Sequence, residues 1–228
     1  RFDADGYLSR RAANEAKLAT AGVYAPDMEH DACGVGFVAA RDGKPTRAVV
    51  DAAIEALQAI WHRGAVDADG MTGDGAGIHI EIPRDFFIEH IARTGHDDDG
   101  GRLAVGMVFL PRTDLAEQER CRCIVEQEIL AVGHSIYGWR QVPVDVHALG
   151  DKANATRPEI EQIMFSMLAG LGEEEAERQL YVVRRRIEKA VTAELISDFY
   201  ICSMSSRSII YKGMFLDEQV TAFFPDLL

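Results

Sequence analysis

Cysteine is scarce in this chain: there are four among 228 residues, at positions 33, 121, 123 and 202. That is far from the dense disulfide framework that small secreted domains use in place of a core, and it points to a reducing compartment. Positive charge is also in deficit, with 24 Lys plus Arg against 37 Asp plus Glu and a formal net charge of -13. An acidic field repels polyphosphate and no basic stripe opposes it, so nucleic acid is excluded as a partner. Long apolar runs are missing: the stretch from Leu103 to Pro111 falls far short of the ~20 residues of a bilayer helix, which excludes a helical membrane span. Residues Arg1 to Ser9 carry charges and lack the apolar core of a secretory signal, so a cytoplasmic location is expected. Internal repeats and low-complexity tracts are lacking too.

What remains is an ordinary globular composition, 47% hydrophobic and 27% charged. At roughly 150 residues per domain, the length supports one sizeable domain or one domain with an appendage. The first residue is Arg and not Met, and a fragment of a longer protein is expected.

Residues 1 to 32 read as a polar, Ala-rich leader or arm, and a boundary is expected at Cys33. The apolar run Gly34 to Ala39, with two glycines, predicts a buried strand. Val50, Ile54, Leu57 and Trp61 share a helical face that should end near His62-Arg63-Gly64. Gly73-Asp-Gly-Ala-Gly77 is a tight passage into a half-buried strand over Ile78 to Ile82, stopped by Pro83. A short helix is expected around Phe86 to Ile91, a loop over Gly95 to Gly101, and an interior strand over Leu103 to Leu110. Asp114 and Glu117 have capping-box spacing ahead of a helix with Cys121, Val125, Ile129 and Val132 on one face. The clearest helix runs from Glu173 to about Leu195, on the stripe Ala176, Leu180, Val183, Ile187, Val191 and Leu195, with acids where the helix dipole favours them. Phe199 to Met204 and Ser208 to Tyr211 predict a hairpin around Ser205-Ser-Arg207. Mixed strands and amphipathic helices indicate an α/β or α+β layered domain.

Cys33 sits after a polar leader and before two glycines that permit close backbone approach. On composition alone it is either a buried structural thiol or, if the chain is cut between Ala32 and Cys33, a nucleophile beside its own α-amine. That amine has an unperturbed pKa of ~7.7 to 8.0, near enough to neutrality to act as the base. The Gly73 to Gly77 spacing fits neither the dinucleotide fingerprint nor a phosphate loop and reads as a structural turn held by Asp74. His96 with Asp97 to Asp99 lacks the oxygen donors of a calcium loop and reads as a solvated loop. Cys121 and Cys123, two apart on a helix, diverge and do not form a metal pair.

Four strings occur in register: Cys33-Gly-Val-Gly-Phe-Val38; Trp61-His-Arg-Gly-Ala65 with Asp69; Thr72-Gly-Asp-Gly-Ala-Gly-Ile78 with Ile82-Pro83; and Tyr200-Ile-Cys-Ser-Met-Ser-Ser-Arg207 with Ile210-Tyr-Lys-Gly213. Together they resemble the glutaminase domain of glutamate synthase large subunits, a family of class II glutamine amidotransferases. The resemblance implies an α+β fold of the N-terminal-nucleophile hydrolase type, a four-layer αββα sandwich with two stacked sheets between helical layers, incomplete here at the C-terminus. It implies that residues 1–32 are a propeptide removed at Ala32-Cys33, and that residues 33–228 are the N-terminal portion of the amidotransferase domain. Cys33 would then be the nucleophile that releases ammonia from glutamine, supported by Arg63 and Gly64. Arg63 has two compatible readings: a guanidinium near the nucleophile that keeps the amine neutral, or a helix-terminal Arg with Gly64 as the C-cap.

No cofactor or metal is implied in this segment. The full-length family subunit carries FMN and an iron-sulfur cluster elsewhere, and passes the ammonia on for reductive amination of 2-oxoglutarate. Its partners would be the remaining domains of the same subunit and a small electron-donating subunit. The family's His-Gln-Arg-Phe-Ser-Thr motif and its oxyanion-hole Asn-Gly pair do not occur in these residues, so this piece alone is expected to be inactive. Nothing around Asp31-Ala-Cys33 resembles a protease site, and the cut is expected to be autocatalytic. The alternatives are another class II amidotransferase, or a non-catalytic module that keeps the scaffold.

Overall fold

The computed structural model describes residues 4–21, 34–60 and 65–228. The chain divides into two compact units, Arg1–Cys33 and Gly34–Leu228. Within the first, Ala4–Ala21 forms helix α1 with Asp5 in its first turn. A polar Ala-rich stretch favours this, since alanine has the highest intrinsic helix propensity.

The second unit runs, in order, α2 (Arg47–Ala59), β1 (Ala76–Glu81), α3 (Arg84–Arg93), β2 (Leu103–Leu110), α4 (Leu115–Leu130), β3 (Ser135–Gln141), α5 (Asp151–Ala155), β4 (Glu159–Ser166), α6 (Glu173–Ala193), β5 (Tyr200–Ser205), β6 (Ser208–Gly213) and α7 (Gln219–Phe223). Short 3-10 turns lie at Val146–Ala148 and Pro225–Leu227. The strands form a four-stranded antiparallel sheet of order β3-β4-β2-β5 and a two-stranded antiparallel sheet of β1 and β6.

The apolar run of β2 predicts its central position: it is hydrogen-bonded on both edges, and every residue but Phe109 is buried. Its two faces feed two cores. Val105 and Met107 share a core with Met164 of β4 and with Ile78, Ile209 and Tyr211 of the smaller sheet. Ala104, Val108 and Leu110 face a second core that contains Cys121 and Val125 of α4 and Leu180 and Ile187 of α6. The two sheets therefore meet across one apolar layer, and α4 and α6 cover the opposite face of the larger sheet. Each fully buried aliphatic side chain contributes about 1.5–3 kcal/mol.

Helix ends follow local chemistry. Asp114 accepts from the backbone N–H groups of Ala116 and Glu117 and starts α4 as an N-cap. Val50, Ile54 and Leu57 of α2 pack against the first core as their periodicity predicts. Trp61 to Gly64 lie outside the described residues.

Three expectations fail. Gly34–Ala39 is no strand among the described residues, and Val35 and Phe37 are 92% and 91% exposed. A strand is held by a neighbouring ladder, and no described ladder joins this run. Leu195 is not on the core stripe of α6: the helix stops at Ala193, and Leu195 turns to φ 62° with its side chain 90% exposed. It occupies the left-handed position that ends many helices.

Finally, β5 and β6 do not pair as a hairpin but belong to different sheets. The chain arches from one to the other. Ser203 Oγ accepts from the Ile210 N–H at 3.2 Å, and the Cys202 thiol donates to the Ile210 carbonyl at 3.5 Å. The arch turn is pinned by the Glu177 carboxylate of α6, which accepts from Ser205 Oγ, Ser206 Oγ and the Ser206 N–H at 3.0, 2.7 and 2.8 Å.

Candidate functional site

Ala32, Cys33, Arg63 and Gly64 lie outside the described residues. Gly34, next to Cys33, and Ala65, next to Gly64, are described. Gly34 packs against Ile60, the residue that caps α2: a Cβ on Gly34 would lie 2.6 Å from Ile60 Cδ1. Ile60 stands three positions before Arg63. The flank of the candidate nucleophile and the flank of the His-Arg-Gly motif therefore touch.

Beyond the motif, residues 65–75 form a loop held at several points. Val66 and Gly73 make an isolated antiparallel bridge, and the Asp74 N–H donates to the Ala65 carbonyl at 3.3 Å. The side-chain anchor is Asp69, where the sequence suggested Asp74. Asp69 Oδ1 accepts from the N–H groups of Met71 and Thr72 at 2.9 and 2.7 Å, and Oδ2 accepts from Thr72 Oγ1 at 2.5 Å. These bonds, the Thr72 hydroxyl foremost, hold the Asp69 carboxyl down at about 2, since each favours the charged form. Gly150, the N-cap of α5, comes so close that a Cβ there would lie 2.4 Å from Thr72 Oγ1 and 2.6 Å from Asp69 Oδ2. Lys152 Nζ donates to Asp67 Oδ2 at 2.5 Å, and the hydrogen bond lowers the pKa of that carboxyl.

The Gly-rich passage is a contact surface for backbone. A Cβ on Gly73 would lie 2.0 Å from the Phe215 carbonyl oxygen, and one on Gly77 would lie 2.6 Å from the Tyr211 carbonyl oxygen. Both neighbours are main chain, so only glycine permits this approach. Gln219, buried at the start of α7, completes the clamp: its Nε2 donates to the Met71 carbonyl at 2.8 Å and its Oε1 accepts from the Leu216 N–H at 2.7 Å. The reading of Gly73–Gly77 as a structural turn thus agrees with the geometry. Sequence reasoning picked out Asp69 only within a family string, without its anchoring role, and missed Gln219. Asp69 followed by Thr72 carried a signal, because an Asx side chain commonly bonds the backbone a few residues on; Gln219 carried none.

Other candidates fall away. The Asp97–Asp99 loop is tied down more than solvation alone suggests. Asp98 accepts from Arg84 Nη2 at 2.8 Å through Oδ2, and Asp99 Oδ1 accepts from the Tyr137 hydroxyl at 2.7 Å, which lowers the Asp99 pKa. Burial pushes the thiols of Cys121 and Cys202 up to about 11, as the environment of structural cysteines does. Among the described residues no cluster of His, Cys, Asp or Glu is placed to hold a metal ion, and no helix is long and apolar enough to cross a membrane.

The sequence of this chain is similar to known proteins along nearly its whole length. It is 65% identical over 216 residues to the glutamate synthase [NADPH] large chain of Azospirillum brasilense, which covers 95% of this chain and 14% of that protein. It is 42% identical over 200 residues to ferredoxin-dependent glutamate synthase 2 of Synechocystis, covering 87% of this chain and 12% of that protein. It is 37% identical over 210 residues to the glutamate synthase [NADPH] large chain of Bacillus subtilis, covering 90% and 13%. The chain thus spans a small part of the length of these relatives. Residues 33–228 match the family described as class-II glutamine amidotransferases. With that match covering most of the chain on a mixed helix and sheet domain, the chain belongs to the class II glutamine amidotransferases.

Proposed function

We propose that residues 33–228 supply the glutaminase step of a glutamate synthase, with Cys33 as nucleophile at the N-terminus left when Ala32-Cys33 is cut. Residues 1–32 are the propeptide in this reading. The observation that carries it is that the family match begins at Cys33, the one residue whose thiol and α-amine can work as a pair.

The chemistry follows from that pair. The α-amine, unperturbed pKa ~7.7 to 8.0, takes the thiol proton as sulfur bonds to the side-chain amide carbon of glutamine. The same proton passes to the amide nitrogen, the C–N bond breaks and ammonia leaves. Water then adds to the thioester, the C–S bond breaks, glutamate departs and the thiol is restored. While Ala32 still acylates Cys33 the nitrogen is an amide with no useful basicity, so the uncut chain is a zymogen. Arg63, ahead of Gly64 in the same motif, places positive charge near the amine, and like-charge repulsion favours its neutral form. The contact of Gly34 with Ile60 supports this proximity.

The finer architecture in this reading is the four-layer αββα sandwich, with a second helical layer outside the smaller sheet. The names of the relatives favour glutamate synthase over other class II amidotransferases as the setting. The ammonia is then passed to 2-oxoglutarate in the remaining domains of the large subunit, which hold FMN and an iron-sulfur cluster, with a small subunit among the electron donors.

Intact-mass measurement of the purified protein tests the proposal. Cys33 is expected at the mature N-terminus, labelled stoichiometrically by diazo-oxo-norleucine. Cys33→Ala is expected to keep the leader, and Cys33→Ser in the whole polypeptide to abolish glutamine-dependent ammonia release. Undiminished release from Cys33→Ser protein would overturn the assignment.

A further inference from the structure

A pocket of about 450 Å3 lies at the end of β1 away from the Gly73 loop. Its wall carries Glu81 from the end of β1, Arg84 from the first turn of α3, Arg102 just before β2, Glu173 from the first turn of α6, and Ser206 and Arg207 from the arch turn. At about 3.3 Å per strand residue, the length of β1 puts it roughly 17–20 Å from the Gly73 end. Its volume falls within the range of small-molecule sites.

Three arginines from separate segments line it, in a chain with a formal net charge of -13. Two are tethered in place. Arg84 Nη2 donates to both oxygens of Asp98, at 3.0 and 2.8 Å, and its Nη1 donates to the Gly101 carbonyl at 3.1 Å. Arg207 Nε pairs with Glu173 at 2.8 Å, and among the described residues its terminal amino groups make no hydrogen bond. Arg102 is half-buried and makes no ion pair among the described residues. Acids outnumber bases in this chain, so a partly desolvated arginine without a carboxylate contributes little to the fold. Its rigid fork of donors suits an oxyanion.

We propose that this pocket binds a small metabolite bearing one compact oxyanion, a carboxylate or a monophosphate, with Arg102 as the principal anchor and Arg207 as the second. Glu81 and Glu173 on the same wall repel additional negative charge, so the rest of the ligand is neutral or cationic, and polyphosphates are rejected. The site does not rest on the glutaminase reading, because the residues argued from lie between Glu81 and Arg207.

Titration of the full 15N-labelled chain at constant ionic strength tests this, with inorganic phosphate and propionate as probes and sodium chloride as the reference salt. At least one probe is expected to give saturable amide shifts at Arg102, Ser206 and Arg207. Phosphate alone would identify a phosphorylated ligand, and propionate alone a carboxylate. Arg102→Gln is expected to weaken that binding about tenfold or more, Arg102→Lys less, and Arg41→Gln on an exposed loop not at all. Should Arg102→Gln fail to give a dispersed spectrum, Arg207→Gln carries the same test with the same expected direction. The proposal is overturned if neither probe exceeds chloride at the pocket, or if folded variants bind as tightly as the wild type.

Discussion

Asp226→Ala is expected to cost about 3 kcal/mol of stability, at the lower end of the 3–5 kcal/mol range for breaking a buried ion pair. Arg140 of β3 and Asp226 of the last 3-10 turn form a two-point pair: Nη1 donates to Oδ2 and Nη2 to Oδ1, both at 2.7 Å, with side chains only 9% and 6% exposed. Removing the carboxylate strands a guanidinium that water reaches poorly. The cost stays low in the range because other partners persist. Gln162 Oε1 accepts from Nη1 at 2.8 Å, His90 Nε2 accepts from Nε at 3.1 Å, and the Phe86 ring lies 4.9 Å from the guanidinium carbon. Tyr211 loses only a weak 3.4 Å contact to Asp226.

Urea unfolding of the full chain is the assay. With a slope of about 2–3 kcal/mol/M, the midpoint should fall by roughly 1–1.5 M. The double variant Arg140→Met with Asp226→Leu should recover most of the loss, since replacing both charges removes the unpaired group. A midpoint shift under about 0.3 M for Asp226→Ala would refute the reasoning, as would a double variant less stable than the single one.

Leu195→Gly should stabilise the chain by about 0.5–1 kcal/mol in the same assay, because a non-glycine residue in the left-handed region is strained and the side chain that is lost is 90% exposed. Gly73→Ala should cost about 2–3 kcal/mol or more, since its Cβ would overlap the Phe215 carbonyl at 2.0 Å, whereas Gly36→Ala, with nothing within 4 Å, should change stability by less than about 0.5 kcal/mol. Burial lowers the pKa of His134, whose Nδ1 accepts the Leu168 N–H at 3.1 Å. Above the unfolded value of about 6.5 its contribution is complete, and as pH falls from there towards the lowered folded value the unfolded chain takes up a proton first and stability is lost. Unfolding midpoints from pH 7 down to 5 should therefore fall less steeply for His134→Gln than for the wild type.

The parts of this fold legible from sequence are those where a single element declares its own environment. β2 is apolar almost throughout because both its faces and both its edges are covered, and no other placement tolerates eight such residues. The stripes on α4 and α6 repeat at helical spacing because one face meets the second core. Partner choice is another matter. Alternation in Tyr200–Ser205 and Ser208–Gly213 is the same whether two strands pair or arch, and the choice depends on Ser203 and Cys202 meeting Ile210, and on a carboxylate from α6 seizing the turn. Gly34–Ala39 likewise has the composition of a strand, but composition names no ladder to join. Leu195 continues a numerical pattern past the point where the helix has already ended.

The candidate site divides along the same line. Cys33 and Arg63 stand out through short strings whose chemistry is local: a thiol able to share a residue with a free amine, and a guanidinium ahead of glycine. What would hold them is not local. The loop that follows Arg63 is fixed by Asp69 from within, by Gly150 and Lys152 at the start of α5, and by Gln219 from α7, about 80 and 150 positions away. A nucleophile needs its surroundings held to within about 0.5 Å, and the loop next to the His-Arg-Gly motif is itself held by hydrogen bonds and glycine-permitted backbone contacts. The same reasoning explains why such positions carry no periodic signal: a buried glutamine or a buried loop glycine such as Gly150 has a role only once distant segments have met.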